Sequence, residues 1–146
     1  MENKENNNVK ALNELSKGAC MGKDAVKFIL EYVEDDGLKE FLTTNHKKYE
    51  NLSESIEKVY SKYRKDEPRE TSAMNKAMTW YTLKMKTMTD STTSKLAEIL
   101  FQGFNMGIAE GKKLLNHKDL DEEVKDLVEE YVTLQEESAE RVKQFL

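Results

Sequence analysis

DDGLKEFLTTNHKKYENLSESIEKVYSKYR, residues 35–64, is the stretch on which the fold turns. Leu38, Phe41 or Leu42, Asn45, Tyr49, Leu52, Ile56, Val59 and Tyr63 recur there at alternating intervals of three and four. That spacing lays a single stripe along a helix, whereas a strand would bury every second residue. The period predicts a helix over about 38–64. Asp35-Asp36-Gly37 ahead of it predicts a turn, because an aspartate at an N-cap accepts hydrogen bonds from first-turn N–H groups that lack partners.

Upstream, Val9, Leu12, Leu15, Ala19, Gly22, Val26, Ile29 or Leu30, and Val33 repeat the period and predict a helix over about 7–33. The connection between the two helices is short, so they are expected as antiparallel neighbours. The polar, asparagine-rich residues 1–6 are expected to be disordered, leaving one domain over 7–146. Downstream, Pro68 breaks the chain, because the residue before a proline is pushed out of helical geometry. A crossover helix over about 72–88 carries Met74, Met78, Tyr81, Met85 and Met88 on one face, with Ala77 and Trp80 beside them. The polar run 89–93 ends it. A further helix is expected over about 94–116. Asp119-Leu120-Asp121-Glu122 then opens a last one, marked by Val124, Leu127, Tyr131, Leu134, Val142 and Phe145.

Two hairpins joined by one long crossover predict an all-α antiparallel four-helix bundle of ferritin-like connectivity. A five-helix array is the alternative. One proline and six glycines among 146 residues suit long helices with few turns.

Composition limits function. The net charge of −5 comes from 23 basic and 28 acidic residues that are interspersed, so no basic stripe suits nucleic acid. No apolar run reaches the ~20 residues of a membrane span. The opening lacks the make-up of a signal peptide, and the single cysteine, Cys20, leaves no intramolecular disulfide. A soluble, cytoplasmic protein is expected. Cys20 on an apolar-rich helix suits neutral burial better than nucleophilic reactivity, which requires a nearby base.

Several motifs appear in order along the chain: Ala11-Leu12-Asn13-Glu14-Leu15, Asp36 to Leu42, Trp80-Tyr81-Thr82-Leu83-Lys84, and Ala97 to Leu100 followed by Gly103. In these the chain resembles a bacterial domain-of-unknown-function family with a ferritin-like, rubrerythrin-like bundle. The resemblance implies a carboxylate-bridged di-iron or di-manganese centre. Such a centre takes a glutamate from each of two helices and Glu-x-x-His from each of the others. The chain departs from that pattern. Thr43 stands three before His46, and Leu114 three before His117. Lys23 and the Phe104-Asn105 pair occupy positions where the resemblance places acidic residues. A cation repels a metal and a phenyl ring offers it no lone pair, so no metal and no cofactor are predicted.

The remaining metal candidates are His46 with Glu50, and Glu137 with Glu140, each at same-face spacing. Those spacings equally suit an ordinary polar helix surface. His117 at a helix end favours the negative pole of the helix dipole.

The glycines say more. Gly18 and Gly22, then Gly103, Gly107 and Gly111, are each four apart within helices. Each costs about 1 kcal/mol against alanine, so the five together approach the whole stability of a small domain. Close helix packing is the expected compensation, with the first and third long helices meeting through glycine-lined faces. Phe101, Phe104, Met106 and Ile108 would fill the space of the missing metal site.

The methionine stripe suits either packing of the crossover or an apolar contact surface. The sequence thus points to a non-enzymatic structural or protein-interaction module, self-associating as a homodimer or binding another protein. A degenerate di-metal or redox protein and an apolar-ligand-binding bundle are the alternatives.

Overall fold

The computed structural model describes residues 4–65, 79–80, 82–84, 91–117 and 119–146. Among these the chain is all-helical. The long helices are α1 (Lys4–Leu30), α2 (Asp36–Tyr60), α3 (Thr93–His117) and α4 (Glu122–Val142), and a 3-10 turn (Lys143–Phe145) follows. Residues 79–80 and 82–84, within the expected crossover, are also helical. Met74, Met78, Tyr81, Met85 and Met88 lie outside the described residues.

The stripes read from the sequence are the buried faces. Leu38, Leu42, Asn45, Tyr49, Leu52, Ile56 and Val59 are buried on α2, and Val9, Leu12, Leu15, Ala19, Val26 and Ile29 on α1. The Asp35 carboxylate caps α2 by accepting from Leu38 N–H at 2.8 Å. Thr92 Oγ1 accepts from Lys95 N–H at 3.3 Å at the start of α3. Apolar burial rather than intrinsic propensity holds such helices, since most helical stability in proteins comes from tertiary packing of an amphipathic face.

Three expected boundaries move, one of them the end of α1, which closes at Leu30 rather than near residue 33. The disorder expected for residues 1–6 gives way at residues 4–6, which open α1; Asn7 and Asn8 just beyond are buried. An asparagine run reads as solvated, but Asn8 Oδ1 accepts from Asp121 N–H at 2.9 Å, a partner far along the chain. Helix α2 ends at Tyr60 rather than Arg64. The chain turns there through bonds from Tyr63 and Arg64 N–H to Tyr60 O, at 2.9 and 3.0 Å.

Helix α1 packs chiefly on α2, and α3 chiefly on α4; α4 touches each of the other three. At one end, Tyr63 Oη donates to Asp121 Oδ2 at 2.6 Å, and Lys62 pairs with Glu123 at 2.6 Å. At the other end, the Phe41 ring stacks on Phe145 with centroids 6.4 Å apart, and meets Phe104 edge-on at 6.4 Å.

Candidate functional site

The middle of the molecule is built from glycines and the side chains that rest on them. A Cβ added to Gly18 would stand 2.5 Å from Tyr131 Oη, and one on Gly22 would stand 2.5 Å from the Tyr49 ring. A Cβ on Gly107 would reach Gln135 Cδ at 2.9 Å, and one on Gly111 would collide with a Val132 methyl. No described glycine has positive φ, so these residues are needed for space and not for an unusual backbone. Gly103 is buried and lines a void of about 10 Å³ that also touches Gly18, Gly22, Tyr49 and Tyr131.

The side-chain neighbours at Gly18, Gly22, Gly107 and Gly111 differ from the expectation. The glycine faces of α1 and α3 receive side chains of α2 and α4 instead of each other. Of the residues expected to fill the centre, Phe104 does so at 3% exposure. Met106 is 37% exposed, and Phe101 and Ile108 are partly buried.

A short polar network crosses the α2–α4 contact beside these sockets. Tyr49 Oη donates to Gln135 Oε1 at 2.9 Å, and Asn45 Nδ2 donates to Ser138 Oγ at 2.7 Å. Ser138 Oγ donates in turn to Leu134 O at 2.6 Å. Gln135 and Ser138 went unread in the sequence. Their signal was there: Tyr131, Leu134, Gln135, Ser138 and Val142 follow one helical stripe, and polar residues on such a stripe are core residues that need partners.

The metal candidates do not converge. His46 Nδ1 lies 2.9 Å from Glu50 Oε1 on the same face of α2. Glu140 pairs with Lys143 at 2.9 Å, and Glu137 is exposed on α4. Among the described residues, no three His, Cys, Asp or Glu side chains group closely enough to hold a metal ion. Cys20 is half-buried, as is Lys23.

Two concavities flank the core. A groove of about 470 Å³ runs between α1 and α3. Leu15, Met21, Leu114 and Tyr131 line it, with Trp80 and Met106 beside them. Its polar residues are Glu14, Lys17 and Glu110. Lys17 is 8% exposed, and its Nζ lies 2.7 Å from Glu14 Oε1. A cation that deep is tolerable only with such a partner. A smaller cleft of about 250 Å³ lies between α2 and α4.

Tyr63 has an altered titration. Burial is the main cause, followed by its bond to Asp121 and the charges of Asp121 and Glu123, and together they push its hydroxyl up to about 12. Among the described residues, no helix is long and apolar enough to cross a membrane. No family model, curated protein or solved structure matches this chain.

Proposed function

We propose that the chain is a non-catalytic binding module that holds an apolar group in the groove between α1 and α3. In this reading it is an antiparallel four-helix bundle of ferritin-like connectivity without the di-metal ligands, and the segment bearing Trp80 crosses between α2 and α3. Support for the opposed helix directions comes from paired contacts. Asn45 meets Ser138 while Tyr49, further along α2, meets Gln135, further back along α4.

The groove carries the functional reading. About 470 Å³ falls within the usual range for small-molecule sites, and its lining is largely hydrocarbon with few polar groups. Met21 and Met106 add side chains that adapt to an occupant's shape. A redox di-metal reading has less behind it, because His46 and Glu50 supply only two donors in one place.

Trp80 is the sole tryptophan and lines the groove, so its emission reports occupancy. Titration with a homologous series of aliphatic alcohols should give a saturable blue shift that strengthens with chain length. Ala109→Phe, which adds a ring to the groove wall, should abolish it. An emission spectrum indifferent to every member of the series would defeat the proposal.

A further inference from the structure

Four charges line the cleft between α2 and α4: Glu40 and Lys48 from α2, Glu137 and Arg141 from α4. All four are exposed, and among the described residues none of them takes part in an ion pair within the chain. Their neighbours do. Glu50 lies 2.9 Å from His46, and Glu140 lies 2.9 Å from Lys143. Glu137 and Arg141 are unpaired although they stand at i and i+4 on one helix, the spacing at which such pairs form.

The register of the two helices sets the order of these charges. With α2 and α4 opposed in direction, as argued above, the Asn45–Ser138 bond puts Thr44 level with Ala139. Thr44 is midway between Glu40 and Lys48, and Ala139 is midway between Glu137 and Arg141. The charges therefore follow one another along the cleft as Glu40, Arg141, Glu137 and Lys48, alternating in sign about a common centre. A row of that kind is its own complement, because turning it end for end puts a positive charge wherever a negative one stood. A ligand of one charge has no such match, since it would meet a like charge beside each opposite one.

We propose that this face of α2 and α4 binds a second copy of the chain, antiparallel across a two-fold axis that crosses the helices at Thr44 and Ala139. That axis sets Glu40 against Lys48 of the second copy, and Glu137 against Arg141 of the second copy. A two-fold contact is made by the same patch on both subunits, so each kind of pair occurs twice. Phe41 and Leu134, which also line the cleft, are covered by the contact. Eight residues of α2 span about 12 Å, so the charged patch is short and the dimer belongs with weak, salt-sensitive associations. The groove between α1 and α3 shares none of these residues, so the dimer does not depend on what that groove holds.

Sedimentation equilibrium of the full chain, at millimolar concentration and low salt, is the test. A dimer should form and should dissociate as salt is raised. Glu40→Lys and Lys48→Glu, at exposed positions, should each weaken it by about tenfold or more, because symmetry sets two like-charged pairs face to face. The melting temperature should not change. The two substitutions together reverse both pairs and should restore the parent's affinity. The proposal is overturned if the chain is monomeric under these conditions, or if either single variant dimerises as tightly as the parent. It is equally overturned if the double variant fails to recover, since that is the outcome when Glu40 and Lys48 serve the charges of α4, within the chain or in a parallel partner.

Discussion

Gly22 of α1 lies against the ring of Tyr49 on α2, so closely that a Cβ on Gly22 would stand 2.5 Å from both Cε1 and Cζ. The ring has little room to retreat. Tyr49 is 1% exposed, and its hydroxyl is held by Gln135. Gly22→Ala would gain up to about 1 kcal/mol of helix propensity, but overpacking of a filled core typically costs about 1–3 kcal/mol. The net effect should be destabilising. A denaturation midpoint at or above the parent's would show that the contact yields cheaply.

That contact also marks how far the sequence can be read. The interval of four between Gly18 and Gly22 announces a tight surface, because helical glycines are costly without a reason. What it cannot announce is the neighbour. Tyr49 and Tyr131 reach these glycines only once α2 and α4 have packed, and no local pattern encodes a meeting between Gly18 and Tyr131. The helices themselves were legible, because the stripe from Leu38 to Val59 is a local period that burial then follows. The end of α2 was less so, since Tyr63 continues the period yet leaves the helix to bond Asp121. The polar core was missed for a related reason. Gln135 and Ser138 lie on the buried stripe of α4, but their partners Tyr49 and Asn45 come from another helix, which no local pattern names.

The Tyr49–Gln135 bond should behave as a buried pair. Tyr49→Phe removes the donor and leaves Gln135 Oε1, on a residue 3% exposed, without its partner. A loss of about 1–3 kcal/mol is expected. Adding Gln135→Met replaces the acceptor with a chain of similar shape and should recover most of that loss. Urea denaturation of the two single variants and the double variant measures the coupling, and strict additivity would argue against the bond.

The pairing of Lys17 with Glu14 leads to an unequal pair of outcomes. Lys17 is nearly enclosed while the Glu14 side chain is 45% exposed. Lys17→Met keeps the volume and removes the buried charge, so stability should hold or rise. Glu14→Gln leaves the ammonium without its counter-charge and should lower the melting temperature. Equal losses in the two variants would mean that the lysine's charge, and not its stem, is what the groove requires.

His46 and Glu50 form a partly exposed pair on one helix. Such pairs contribute about 0–1 kcal/mol. His46→Gln should therefore change the denaturation midpoint little. Adding iron(II), manganese(II) or zinc(II) should raise the melting temperature of parent and variant by the same small amount or not at all. A metal-dependent rise confined to the parent would revive the di-metal reading.

Tyr63 should make stability depend on pH at the alkaline end. In the folded chain its hydroxyl is raised from 10.0 to about 12 by burial, the bond to Asp121 and the nearby charges of Asp121 and Glu123. The folded state therefore favours the protonated phenol more than the unfolded state does. Its contribution is fully present below pH 10 and is lost as pH rises from 10 towards 12. Tyr63→Phe removes the 2.6 Å bond to Asp121 at every pH. The parent should accordingly be the more stable of the two at neutral pH, and the gap should close across that alkaline window. Lysines titrating in the same range are common to both chains and cancel in the difference. Urea midpoints of parent and variant, taken at intervals from pH 8 to pH 12, measure it. A gap that stays constant throughout would mean the tyrosine ionises alike in both states, and that the bond to Asp121 does not restrain its proton.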